Sequence, residues 1–191
     1  MNGLPDTASR RLPVDESATV RAMFPDLSAL IFFSKSPLLH TGNSIVMHAP
    51  RQEIFDTAAD LSRWPEILPH YRYIRYYERS PERNVVKMAV VRSGIPISWI
   101  SEQQIDRERW EVRFHHLRAF TKGMEVVWTF DDTPDGVRVS IVHDLEFRVR
   151  ALAPLADRII GGFFIEHIAG RTLECMKQYL EIRTTSSAKE N

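Results

Sequence analysis

The side chains in this sequence that are suited to moving protons fall in a few places. His115 and His116 stand side by side and invite a metal-pair reading. On an extended run, however, neighbouring side chains face opposite ways, so two adjacent histidines do not chelate one ion. His116 taken singly is a candidate general acid or base, because an unperturbed imidazole titrates near neutrality. The Tyr71 phenol can give a proton to an alkoxide or hold a ligand by a hydrogen bond. Ser101 lacks the G-x-S-x-G setting of a hydrolase nucleophile. Gly161-Gly162 has no phosphate-loop context and reads as a bend in a helix or room for a ligand. No metal-ligand cluster and no cofactor motif is present, so no cofactor is expected.

The 191 residues fit one domain with spare length at the ends, at 43% hydrophobic and 26% charged. Formal net charge is zero and the pI is about 7.1, which gives a nucleic-acid partner no electrostatic footing. Residues 71–83 interleave four tyrosines with four arginines, but Glu78 and Glu82 among them favour a solvated strand edge. The single cysteine, Cys175, cannot close an internal disulfide, which suits a reducing, cytoplasmic setting. The apolar run Leu27 to Phe33 is far shorter than the roughly 20 residues of a transmembrane helix, so no membrane span is expected.

The elements that must position these groups follow from period and punctuation. Residues 1–39 read as a partly disordered extension, 40–183 as one ligand-binding domain, and 184–191 as a disordered tail. A first strand at Ser44 to His48 leads into a helix opened by Pro50, with Ile54, Phe55, Ala58 and Leu61 inward, and a short helix to Ile67. Strands are expected at 71–79, 84–92, 97–105, 110–117, 124–131 and 137–147, the last pair joined through Asp135-Gly136. A long interrupted helix, Ala151 to Arg183, carries an apolar stripe through Phe163, Phe164, Ile168, Met176 and Leu180. The fold class is α+β. A curved antiparallel sheet wraps the C-terminal helix around a central hydrophobic cavity.

Strand parity then sorts the inner face. Val137, Val139, Ile141, His143, Leu145 and Phe147 share one side of the last strand. Met124, Val126, Trp128 and Phe130 do so on the strand before it. Trp110, Val112, Phe114 and His116 face inward from the next, and Ile97, Trp99, Ser101, Gln103 and Ile105 share a side of theirs. Apolar walls with Ser101, Gln103, His116 and His143 among them are what a small-molecule pocket of a few hundred Å³ requires.

Several segments resemble bacterial polyketide aromatase/cyclases of the START-like, Bet v 1-like (SRPBCC) superfamily. They are HTGNSIVMHAP at 40–50, DLSRWPEILP at 60–69 followed by Tyr71, SWISE at 98–102, EVVW at 125–128 and HDLE at 143–146. The resemblance spans roughly residues 41–182 and implies a helix-grip fold. It implies pocket roles for Trp64, Tyr71, Trp99, Trp128 and Ser101. Gln103 occupies the position of a family arginine, His116 falls on a second basic pocket position, and Ala169 falls on a helix asparagine. On this basis the catalytic set is His116, Tyr71 and Gln103, with His116 handling protons and the other two positioning a substrate oxygen. The ligand-binding set is Trp64, Trp99, Ser101, Phe114, Trp128, His143, Phe163, Phe164 and His167. The implied activity is aldol cyclisation and dehydration of a polyketide chain. Implied partners are a small hydrophobic ligand (polyketide, aromatic, lipid or quinone) and, as a candidate, an acyl carrier protein. A non-catalytic carrier of a lipid or quinone fits the same residues, as does another small-molecule enzyme on this scaffold.

Overall fold

The structure is a computed structural model that describes residues 38–92, 94–119, 121–146 and 166–187, all within the compact unit Ser36–Asn191. Strand β1 (Leu38–Met47) is followed by helix α1 (Arg51–Ala59), a single 3₁₀ turn (Leu61–Arg63) and the short α2 (Trp64–Ile67). Six strands follow: β2 (Tyr71–Arg79), β3 (Arg83–Arg92), β4 (Ile95–Asp106), β5 (Glu111–Arg118), β6 (Glu125–Thr133) and β7 (Gly136–Glu146). Helix α3 (Glu166–Ser187) comes last. The strands form one curved antiparallel sheet in the order β1-β7-β6-β5-β4-β3-β2. This is the expected α+β helix-grip architecture.

The reasons are local. Strands β2 to β7 join in chain order through tight turns, so each pairs with its predecessor. The last hairpin turns at Gly136, where φ is +125° and a Cβ would stand 2.7 Å from the Met47 carbonyl oxygen. Only glycine fits there without strain. Strand β1 runs back along β7 in unbroken register, from Leu38 opposite Glu146 to Met47 opposite Val137. Inner-face parity holds. Val112, Phe114, Val126, Trp128, Phe130, Val139 and Ile141 are all buried. Helix α3 lays Ala169, Leu173, Met176 and Leu180 against the core at helical spacing, with Ile168 at the margin. Its outer side is tied to the sheet edge, where Lys177 Nζ donates to the Val46 carbonyl and the His48 N–H donates to Glu181.

Four expectations change. Strand β1 starts six residues before Ser44, because continuous pairing to β7 overrides the turn-like composition of His40 to Asn43. Strand β4 begins at Ile95, with Pro96 inside it. Trp110 does not open β5. It sits in the preceding turn with φ +55°, its ring against Phe55 and beneath the Arg51 guanidinium. Helix α3 continues through Ser187, into the segment read as a disordered tail. Residues 151–165, with Phe163 and Phe164, lie outside the described residues.

Candidate ligand cavity and active site

Between the sheet, α2 and α3 lies a cavity of about 70 Å³, measured as space open to the centre of a water molecule. That is smaller than the few hundred Å³ expected, and large side chains account for the difference. Trp64 enters from α2, Tyr71 and Trp99 from β2 and β4, and Phe114 and Trp128 from β5 and β6. The rings touch in sequence: Trp64 lies 5.7 Å from Trp128, 6.3 Å from Phe114 and 5.0 Å from Tyr71. Tyr71 is 6.5 Å from Trp99, which stacks on His116 at 5.7 Å and 20°. Edge-on and offset contacts of this kind each stabilise the wall by about 0.5–1.5 kcal/mol beyond area burial. Met88, Met124, Val126 and Ile141 complete the apolar lining, with Ile168, Ala169 and Thr172 contributed by α3.

The polar groups are few and buried. His116 shares a hydrogen bond of 2.7 Å between its Nδ1 and Thr121 Oγ1. The β5–β6 hairpin makes this contact. The His116 N–H donates to the Met124 carbonyl and the Gly123 N–H donates back to His116, folding Thr121 over the ring. Ala119 and Gly123 take positive φ to close that turn. A hydroxyl both donates and accepts, so Thr121 serves either tautomer of the imidazole. Burial, then the neighbouring His143 and His115, pushes His116 down to about 3, and burial pushes His143 down to about 4. Both rings are therefore neutral at physiological pH. Burial raises the Tyr71 phenol far above its ordinary range, so it keeps its proton, although a Thr172 hydrogen bond partly opposes the shift.

Two lining residues carry buried polar atoms with no hydrogen-bond partner among the described residues: Trp99 at Nε1 and His143 at Nδ1. An orphaned buried polar atom costs about 1–3 kcal/mol. Trp64 differs, since its Nε1 donates to the Thr57 carbonyl at 3.2 Å. No carboxylate, lysine or arginine is among the described lining residues.

Of the expected catalytic set, His116 and Tyr71 meet at the cavity and Gln103 does not. Gln103 is fully buried on β4, but its Nε2 donates to the Ala59 carbonyl at 2.9 Å and its Oε1 accepts from Asn84 at 2.8 Å. Ala59 ends α1, so the amide caps a helix carbonyl that has no partner within the helix. Of the ligand-binding set, Trp64, Trp99, Phe114, Trp128 and His143 line the cavity. Ser101 stands beside His116 in the β4–β5 register but is completely buried and outside the lining, its Oγ without a partner. His167 is exposed on α3, beside an outer groove with Arg171 and Glu174. Sequence reasoning missed Thr121, Thr172 and His70. His70 Nε2 meets Thr172 Oγ1 at 2.9 Å, and the Thr172 hydroxyl donates to the Ile168 carbonyl. The hairpin spacing of His116 and Thr121 was a usable signal; nothing in the sequence pairs His70 with Thr172.

Among the described residues no helix is long and apolar enough to cross a membrane, and no cluster of metal-ligating side chains occurs.

Comparison with known proteins agrees with this architecture. The family described as "Polyketide cyclase / dehydrase and lipid transport" matches residues 47–176. A Streptomyces cyaneus protein named "Putative polyketide cyclase" is 33% identical over 123 residues, 62% of this chain and 78% of its own length. One of the same name from Streptomyces halstedii is 31% identical over 101 residues, 51% of this chain and 93% of its own. Among solved structures, the Zhui aromatase/cyclase of Streptomyces sp. R1128 superposes with a TM-score of 0.68 at 18% identity, covering 77% of this chain and 96% of that one. A START superfamily protein of Mycobacterium smegmatis superposes at 0.58 and 14% identity, over 73% and 98%. The chain belongs to the polyketide cyclase / dehydrase and lipid transport family.

Proposed function

We propose that this protein binds the cyclising portion of a hydrophobic polyketide in the aromatic cavity and promotes its aldol cyclisation and dehydration. The observation that carries this reading is the placement of His116: a neutral imidazole, stacked on Trp99 and bonded to Thr121, at a cavity walled mainly by aromatic and aliphatic side chains. In aldol closure the uncharged His116 imidazole takes a proton from a methylene between two carbonyls, the carbanion forms the carbon–carbon bond, and the resulting alkoxide takes a proton from Tyr71, which regains one from the imidazolium. Loss of water then gives the conjugated ring. A neutral imidazole N–H can hold negative charge as it develops on a ketone oxygen. The Thr121 hydroxyl accepts from Nδ1–H in one tautomer and donates to Nδ1 in the other, so the ring is held in place in both. Tyr71, kept protonated by burial, is the donor to the alkoxide. Gln103 supports this arrangement from behind by fixing α1 to the sheet. A cavity of about 70 Å³ suits one forming ring rather than a whole chain.

A second reading, a carrier without turnover, is favoured by the lack of any charged side chain in the described lining. The two separate in one experiment. Mass spectrometry of small molecules bound to the purified protein identifies the ligand. Incubation with a linear poly-β-ketone thioester then shows whether cyclised product forms faster than it does spontaneously. Binding with no such acceleration means a carrier.

A further inference from the structure

The outer face of the sheet, turned away from the cavity, carries charge in separate blocks of opposite sign. We infer that this face docks a second copy of the chain, in a two-fold dimer where the cations of β2 and β3 meet the carboxylates of β6 and β7 of the other copy. The inference is independent of the ligand reading.

Placement comes from parity and register. Arg75 stands between Ile74 and Tyr76, which pack on the core, and Lys87 between the buried Val86 and Met88. Both therefore point outward, and the register sets them directly opposite each other. The same row continues through Ile100 to Arg118. Among the described residues none of these three cations has a carboxylate within ion-pair reach, whereas Arg83 on the same β3 is bridged to Glu78 and Glu102. Glu125 lies outward in the same way between the buried Met124 and Val126, and Asp144 between His143 and the buried Leu145. These two carboxylates are also directly opposite each other. Their partners are His115 and His40, charged only when protonated.

Like charges directly opposite on neighbouring strands destabilise a sheet. Here that occurs once with each sign, in a chain whose formal net charge is zero. No net repulsion keeps two copies apart. In the strand order β7-β6-β5-β4-β3-β2, the two blocks lie on either side of the β4–β5 boundary and equally far from it. A two-fold axis in the plane of contact, midway between the blocks, brings β2 and β3 of one copy over β7 and β6 of the other. Arg75 then faces Asp144, Lys87 faces Glu125, and the symmetry makes each contact twice. Tyr73, two residues before Arg75 on β2, is exposed and is the kind of side chain that interfaces favour. A nucleic acid or an anionic membrane would meet the acidic block along with the basic one, which disfavours both.

Sedimentation velocity of the full-length protein at neutral pH tests this. The wild type is expected to dimerise in about 20 mM NaCl, with affinity lower by at least about tenfold in about 0.5 M NaCl. Two double variants each reverse one block: Arg75→Glu with Lys87→Glu, and Glu125→Lys with Asp144→Lys. Each alone should be monomeric, because both of its blocks then carry one sign. An equimolar mixture should dimerise again, because every block of one variant meets its opposite in the other. A wild type that is monomeric at about 100 μM in low salt overturns the inference. So does a dimer that salt leaves intact, and so does a mixture that stays monomeric while both variants are folded by circular dichroism. If a variant does not fold, the wild-type salt series decides alone.

Discussion

Gln103 Nε2 donates a 2.9 Å hydrogen bond to the carbonyl of Ala59, and so joins the middle of β4 to the end of α1. The same side chain accepts from Asn84 on β3. A residue that the sequence resemblance led one to expect at the substrate is here bonded on both sides of its amide to the scaffold. Gln103→Leu should lower stability by about 2 kcal/mol, because it strands the Ala59 carbonyl and the Asn84 amide in the core. Urea denaturation measures this. An unchanged midpoint would mean that the amide is dispensable.

Gly136 makes a second stability prediction. Its φ of +125° and the Met47 carbonyl 2.7 Å from a would-be Cβ leave no room for a side chain. Gly136→Ala should cost at least about 1 kcal/mol in the same denaturation experiment. Full retention of stability would show that the β6–β7 hairpin tolerates another turn.

Acid should weaken the fold before any carboxylate is involved. His116 lies at about 3 in the folded chain, and His143 and His70 at about 4, all below the ordinary 6.5. As pH falls from 6.5 toward 4, the unfolded chain takes up protons that the folded chain refuses. Stability is therefore full above that window and lost progressively within it. The denaturation midpoint should fall steadily between about pH 7 and pH 5, and His143→Leu should flatten the slope. The perturbed carboxyls, Asp56, Glu102 and Glu181, are shifted downward and act only at lower pH. A midpoint that does not change across the window would contradict the burial of these rings.

Much of this arrangement was legible in the sequence because a strand has a period of two. Parity alone put Trp99, Phe114, His116, Trp128 and His143 on one face, and all five meet at the cavity. It also put Gln103 there, correctly as to face, but parity says nothing about what a long amide reaches. The partners of Gln103 come from α1 and β3, distant in sequence. Trp110 escaped for another reason. Its left-handed φ is rare for a bulky residue, and the contacts with Arg51 and Phe55 that accompany it come from α1. The size of the cavity was not legible either, since ring orientation rather than residue type decides how far five large aromatic side chains fill the space.

The Thr121 contact separates positioning from stability. Thr121→Val keeps the shape of the side chain and removes the hydroxyl bonded to His116 Nδ1. Cyclisation should slow by about tenfold or more, with a changed pH profile, because the imidazole loses the group that serves both of its tautomers. Thr121→Ser should restore most of the rate. Equal rates in all three proteins would remove Thr121 from the account.

The central claim is that His116 handles the proton in ring closure. The direct test is the initial rate of aromatic product formation from a linear poly-β-ketone thioester, comparing wild type with His116→Ala. The account predicts acceleration over the spontaneous reaction by the wild type and a loss of roughly 10²–10⁴-fold in the variant, with binding of a non-reactive aromatic ligand much less affected. Equal rates in the two proteins would contradict it.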